Sequence, residues 1–303
     1  MKREHGRRRA EKGRGRRKNK SDGRLYAFPQ QLSTIDAHKH TNKHSKKVAN
    51  ILKNRQKEEK NRRKIFFAFF VGVWYNTNMH DYLSAIERGE TGEKFEIFYR
   101  MLAEWNEKFN ITRIVNEEDC KVKHFLDSLC GEKYFPQGAN CCEVGSGGGF
   151  PSVPLMIFRP DLRFCLIESS AKKCAFLKEV IGALDLNAQT ECTRAEEAAH
   201  LARFREKFDV CCARAVARIN TLSEYCAPFV KKGGLFIAYK GDAAEEIKEA
   251  SSAFAVLGLK LKEAIPFELP QGAGKRTIAV CEKIKNTPPA YPRGRGKERS
   301  KPL

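Results

Sequence analysis

Residues 140–151 read Asn-Cys-Cys-Glu-Val-Gly-Ser-Gly-Gly-Gly-Phe-Pro. A short apolar run that carries an acidic residue and ends in alternating glycines is a strand stopping at a tight turn. Glycine enters left-handed backbone freely, and without a Cβ it lets a ligand approach the main chain. The stretch therefore predicts a ligand-binding turn at the end of a strand, and the rest of the chain must say which ligand.

Working outward, short apolar runs alternate with helical segments. Candidate strands cover 140–145, 163–168, 188–193, 208–213 and 234–240, with helices in each gap. The runs are continuous rather than alternating, as in strands covered on both faces, which predicts an α/β sheet. Residues 260–267 and 275–283 read as two more strands joined by Pro-Gln-Gly-Ala-Gly. That link is too short for a parallel crossover, so this last pair is antiparallel. In the helix after the second strand, Cys174, Leu177, Ile181 and Leu184 share a face, and Ser170 stands where an N-cap belongs. Upstream, Phe95, Phe98, Tyr99, Leu102, Trp105 and Phe109 recur at helical spacing and predict an amphipathic helix over 93–109. A second helix over 117–130 puts His124 and Asp127 on one face.

Charge is unevenly placed along the 303 residues. Residues 1–64 carry 23 Lys or Arg against 6 Asp or Glu, and residues 285–303 carry 6 against 1; the net charge of +20 thus leaves about −2 for residues 65–284. Bulk charge alone does not make the central part a nucleic-acid binder. Residues 1–64 lack the large apolar residues and the period needed for a core, the composition of a basic, disordered arm. The uncharged run 65–75 is too short to span a bilayer, which takes roughly 20 apolar residues, and too far from the N-terminus for a signal peptide. Met79 opens ordinary globular pattern, so residues 1–78 read as a basic extension or as a mis-assigned start. Domain boundaries follow: a helical cap over 79–130, the main domain over 131–284 and a basic tail over 285–303. The eleven cysteines form no Cys-x-x-Cys pair, and two doublets sit inside apolar runs. They read as buried, reduced thiols in a cytoplasmic protein, with no metal site.

The glycine turn excludes two familiar ligands. A dinucleotide turn needs a small residue three positions after its second glycine, where this chain has Phe150; a P-loop needs Gly-Lys-Ser or Gly-Lys-Thr, which is absent. What remains, Glu-x-Gly-x-Gly-x-Gly, is the pattern of S-adenosylmethionine-dependent methyltransferases, whose cofactor carries a sulfonium cation and no phosphate. Glu168 closes the second strand, where a carboxylate accepts hydrogen bonds from both ribose hydroxyls. Ala195 and Glu196 follow the third strand, at the edge where an adenine would lie.

Taken together, the blocks Glu143 to Pro151, Leu166 to Leu177, Thr193 to Glu197, Cys212 to Ala217, Tyr239 to Gly241 and Tyr291 to Lys297, with Trp105 to Thr112 and His124 to Ser128, resemble the glucose-inhibited division protein B family, the RsmG small-subunit ribosomal RNA methyltransferases. The resemblance runs from about Met79 to the C-terminus. It implies a Rossmann-like class I S-adenosylmethionine-dependent methyltransferase: a mostly parallel seven-stranded sheet with an antiparallel last strand, preceded by a small helical part. It further implies transfer of a methyl group to N7 of a guanine in 16S ribosomal RNA, free or in the small ribosomal subunit, by a cytoplasmic monomer without membrane contact. Carried over, the cofactor contacts are Gly145, Phe150, Ala195, Glu196 and Arg214, joined by Glu143, Gly147 and Glu168. The chain departs from the pattern at Glu143, where many relatives have Asp, and at Gly148, where many have Pro.

Guanine N7 carries a free lone pair, so no general base is expected and catalysis rests on orientation. Because the last strand is antiparallel, its start reaches the same edge as the ends of the parallel strands. Lys240, Lys275 and Arg276 are therefore RNA-contact candidates, together with His124. The tail residues Arg293, Arg295, Lys297 and Arg299 would add phosphate contacts. A methyltransferase of a protein or small molecule, or a non-catalytic RNA-binding or ribosome-assembly protein, are the alternatives.

Overall fold

Every second residue of the central strands faces one of two apolar layers, which is how a sheet covered on both faces stays in register. In the computed structural model, which describes Lys53 and residues 78–303, Cys141, Phe164, Leu166, Val210, Cys212, Ile237 and Tyr239 join the layer beneath the helical cap. Cys142, Val144, Cys165, Ile167, Cys211, Ala213, Phe236 and Ala238 join the other. Apart from Lys53, the arm 1–64 and the apolar run 65–75 lie outside the described residues. Residues 78–303 fall within the unit Arg63–Leu303.

The strands are β1 (Asn140–Val144), β2 (Arg163–Glu168), β3 (Ala188–Cys192), β4 (Phe208–Arg214), β5 (Val230–Lys240), β6 (Leu259–Glu268) and β7 (Lys275–Lys283), ordered β3-β2-β1-β4-β5-β7-β6. Strands β1 to β5 pair in parallel, and β7 runs antiparallel to both neighbours. The chain leaves β1 towards β2 on one side and returns to β4 on the other. The carboxyl ends of β1 and β4 thus frame the crevice where open α/β sheets bind ligands. The expected strands are all present. β5 starts earlier than the expected 234–240, because Val230 pairs with Phe208 across an irregularity that skips the exposed Lys231 to Gly233.

The cap is built on aromatic packing. Helix α1 (Gly89–Phe109) buries Gly92, Phe95, Phe98 and Leu102. Phe98 lies 5.5 Å from Phe125, 5.4 Å from Phe150 and 6.5 Å from Phe176, centroid to centroid, so one ring ties the cap to the glycine turn and to the helix after β2. Phe109, at the end of the stripe, is instead half-exposed under the Lys172 ammonium. The expected helix 117–130 is real but not uniform. Asn116 caps α2 (Glu117–Cys120) through the Asp119 amide, the backbone widens to π-type spacing over Lys121–Leu126, and α3 (Asp127–Leu129) completes it. Among the described residues no helix is long and apolar enough to cross a membrane. All eleven cysteines are free, and only Cys192 is exposed.

Phe98→Ala removes the shared ring and should cost about 3–5 kcal/mol of stability. Chemical unfolding of the variant measures this, and a loss below about 1 kcal/mol would show that cap and sheet do not depend on this contact.

Candidate functional site

The glycine turn after β1 is held by side chains as much as by its own backbone. Gly145, Gly147 and Gly149 all have positive φ, at 70°, 57° and 85°. A Cβ at Gly145 would come within 2.7 Å of Val216, and one at Gly149 within 2.5 Å of Val153. Only Gly147 looks into open space, its nearest neighbour being a carbonyl 3.8 Å from such a Cβ. Two of the three glycines therefore serve packing, and the central one offers a bare backbone.

Glu168 locks this loop. Its Oε2 accepts from the Gly147 amide at 2.9 Å and its Oε1 from the Ser170 amide at 2.8 Å. Each carboxylate oxygen keeps a second lone pair for a ligand. Ser170 occupies the N-cap position of α5 (Ala171–Ala183), but its side chain makes no capping bond, and its own amide donates to the Glu168 carboxylate. Between these segments α4 (Ser152–Phe158) leaves the turn, and its Ser152 hydroxyl donates to Oε2 of the fully buried Glu143. Burial lifts the Glu143 carboxyl to about 8, against the lowering pull of Ser152 and Arg214. Its Oε1 has no hydrogen-bond partner among the described residues.

Seven of the expected site residues line one of two cavities, while Gly147 and Glu168 line neither. Gly145, Ala195 and Glu196 line one cleft of about 910 Å³, together with Ile167, Ser169, Thr193, Val216 and Tyr225. His124, Arg214, Lys240 and Arg276 line a second cavity of about 290 Å³, with Lys123, Asp127, Ala215 and Tyr239. The segment Arg214 to Val216 separates them, Ala215 facing one and Val216 the other. Glu143 and Phe150 are buried behind the turn, and Lys275 is exposed at the start of β7.

Arg214 organises the second cavity. Its guanidinium donates to Asp127 Oδ2 at 2.9 Å, to the Lys123 carbonyl at 3.2 Å and to His124 Nδ1 at 2.9 Å, and it lies 4.8 Å from the Phe150 ring centroid. Arginine only donates, so Nδ1 of His124 is an acceptor and Nε2 carries the proton. That proton goes to the Thr112 hydroxyl at 2.8 Å. Burial, reinforced by Arg214, drives the His124 pKa down to about 3, so the imidazole stays neutral, stacked 4.2 Å from Phe150. Both ring nitrogens are committed. His124, expected to meet RNA, instead orients Arg214.

Asp127 Oδ1 also pairs with Arg276 at 3.3 Å. Lys240, an RNA-contact candidate, is mostly buried, and its ammonium binds the Ala217 carbonyl at 2.9 Å and Glu246 at 2.8 Å. Sequence reading missed Thr112 and Asp127 as site-builders. The pairing of His124 and Asp127 on one helical face was the available signal. Cys211 and Cys212 are fully buried in β4, out of reach of any substrate.

A sheet of this order, with a glycine turn after β1, a carboxylate closing β2 and no phosphate-binding sequence, defines a class I S-adenosylmethionine-dependent methyltransferase. The family model for GidB, rRNA small subunit methyltransferase G, matches residues 91–271, and the chain belongs to that family. It is 46% identical over 215 residues to the ribosomal RNA small subunit methyltransferase G of Lachnoclostridium phytofermentans, covering 70% of this chain and 89% of that one. The protein of the same name from Brevibacillus brevis is 45% identical over 215 residues, covering 70% and 90%. That from Staphylococcus aureus strain Newman is 42% identical over 214 residues, covering 70% and 90%. Among solved structures, cofactor-bound Rv0187 from MTB aligns with a TM-score of 0.45 at 16% identity, covering 62% of this chain and 90% of that chain.

Two outcomes test this geometry. Asp127→Asn leaves Arg214 enclosed without its counter-charge and should destabilise the fold by about 3–5 kcal/mol; a change in urea midpoint worth under about 1 kcal/mol would mean that the pair behaves as a solvated surface pair. The second concerns Glu143. The unfolded chain releases this proton near about pH 4.3 and the folded protein keeps it to about 8. The stability it contributes is thus complete below the lower value and is lost as pH rises through that window. Glu143→Gln keeps a neutral group of the same shape, so its melting temperature should gain on the parent's as pH rises from about 5 to 8. Parallel melting curves across that range would show that Glu143 is ionised throughout.

Proposed function

We propose that this chain methylates N7 of a specific guanine in 16S ribosomal RNA, acting as a cytoplasmic monomer on the RNA or on the small ribosomal subunit. The observation that carries the reading is Glu168, fixed by the Gly147 and Ser170 amides and standing in the chain between Ile167 and Ser169, which line the 910 Å³ cleft. With both oxygens immobilised and lone pairs to spare, this carboxylate suits the paired hydroxyls of a ribose. Ala195 and Glu196 would flank the adenine, Gly145 would line the cleft, Gly147 would offer the bare backbone of the turn, and Glu143 would hold the turn from behind. S-adenosylmethionine supplies an electrophilic methyl group on a sulfonium cation.

The protein's share of the work is orientation. Phe150 and Arg214, stacked and hydrogen-bonded into one rigid unit with His124, would form the wall between the cofactor cleft and the substrate cavity. Guanine N7 needs no deprotonation, and His124 and Asp127 are already committed to Thr112, Arg214 and Arg276. Arginine usually reads guanine through O6 and N7 together. Here N7 must stay free to react, so the cation facing the base has to read O6 alone; Arg276, whose Nε is held by Asp127, suits that restricted role. Lys275, exposed beside it, would take a phosphate. Lys240 would hold the loop 217–219 through Ala217 and through Glu246, which also accepts from the Ile219 amide.

The test is transfer of label from S-adenosylmethionine by the full chain, offered protein-depleted 16S RNA and small subunits in parallel, with N7-specific chain cleavage to map the product. Label at one guanine N7 is the expected result. Label in protein, at another base atom, or in neither substrate overturns the proposal.

A further inference from the structure

Residues 285–303 have the composition of a solvated basic arm, yet Arg293 and several of the segment's carbonyls are bound into the domain. The Arg293 guanidinium forks onto Glu224, with Nε to Oε1 at 2.9 Å and Nη2 to Oε2 at 2.7 Å, and the Arg293 amide also donates to Oε1 at 2.8 Å. Glu224 is fully buried on the helix Ile219–Cys226 that follows β4. A buried carboxylate needs a partner, and Arg293 is the cation bonded to it. Arg205 reinforces the attachment by donating to the carbonyls of Thr287, Pro288 and Tyr291 at 3.0–3.1 Å. Thr221 donates to the Glu298 carbonyl at 2.8 Å, and the His200 ring meets the Pro292 carbonyl at 3.0 Å. The buried Glu298 carboxylate closes the segment on itself by accepting from the Gly294 amide.

This attachment has a consequence for the larger cleft. Gly294, Arg295, Gly296 and Arg299 line the same cavity as Gly145, Ala195 and Glu196. Gly294, Arg295 and Gly296 have φ of 69°, 57° and 73°, three successive left-handed residues of which the two outer ones are glycine. The guanidinium groups of Arg295 and Arg299 belong to exposed residues, while the one that could not be spared, Arg293, is spent on Glu224. A guanidinium plane packs on aromatic ring faces, and a purine offers one.

We infer that the segment Tyr291 to Lys301 is a wall of the nucleoside end of the cofactor cleft, with Arg293 as the positioning residue that pins it and Arg295 and Arg299 as the side chains that meet the bound nucleoside. The inference rests on the reading of that cleft as the S-adenosylmethionine site. It reassigns the tail from holding RNA phosphates to setting cofactor affinity.

The experiment compares the full chain with Arg293→Gln and with the double variant Arg295→Ala/Arg299→Ala. S-adenosylhomocysteine and free adenosine are titrated by calorimetry, and 16S RNA by filter binding over a range of salt. The expected result is a Kd for S-adenosylhomocysteine raised about tenfold in Arg293→Gln and at least about threefold in the double variant, with the same factors for adenosine and RNA affinity unchanged. Should Arg293→Gln lose its cooperative melting transition, the double variant decides, since both its side chains are exposed. Unchanged nucleoside binding, with RNA affinity reduced and its salt dependence flattened, overturns the inference in favour of an RNA-binding tail. Failure of the parent chain itself to bind S-adenosylhomocysteine would overturn the cofactor reading of the cleft and this inference with it.

Discussion

A guanidinium that cannot lose its proton sits mostly buried at the end of β4, and the surrounding structure is arranged around that fact. Arg214 would be costly there without a counter-charge. Sheet residues do not supply it. Asp127, the Lys123 carbonyl and the His124 ring all come from the cap. Docking the cap and completing the edge of the sheet therefore depend on each other: the cap supplies the partners of Arg214, and the sheet supplies Arg214 and Arg276 to the buried Asp127. The aromatic contacts of Phe98 and Phe125 with Phe150 add the apolar part of the same junction.

That arrangement also decides which groups are chemically available. His124 would read as a general base from its residue type. Burial and the neighbouring cation keep it neutral, yet its acceptor nitrogen is taken by Arg214 and its donor nitrogen by Thr112. Asp127 has an arginine on each oxygen. The cavity is thus lined by groups that fix each other's positions rather than by groups ready to move protons. Such a site suits a substrate atom that is already nucleophilic, and guanine N7 is one.

Much of this was legible in the sequence because it depends on local pattern. Continuous apolar runs marked β1, β2 and β4, a short glycine link marked the β6 and β7 hairpin, and the glycine turn with Glu168 marked the ligand end of the sheet. What escaped depends on partners far apart in the chain. Lys240 looked like a free cation because Glu246 lies beyond the strand end and the carbonyl it binds precedes the strand. Arg293 looked like one because Glu224 is 69 positions away. A hint did exist: Glu224 stands in a helix whose neighbours Leu222, Tyr225 and Cys226 are apolar, and a carboxylate in that setting implies a distant cation. The early start of β5 was hidden by Lys231 to Gly234, whose polar and glycine content reads as a break although Val230 before it pairs with β4.

Internal pairing of so many cations also separates two tasks. Arg214, Arg276, Lys240 and Arg293 all carry carboxylate partners. Residues 65–284 have a net charge of about −2, while residues 1–64 hold 23 basic against 6 acidic residues. Long-range attraction to a polyanion scales with unpaired positive charge, whereas placing one base scales with rigidity. On the reading of the chain as an RNA methyltransferase, these four cations therefore serve position, each held by a specific acid. The charge that raises affinity is concentrated in residues 1–64, where it can be salt-sensitive and imprecise.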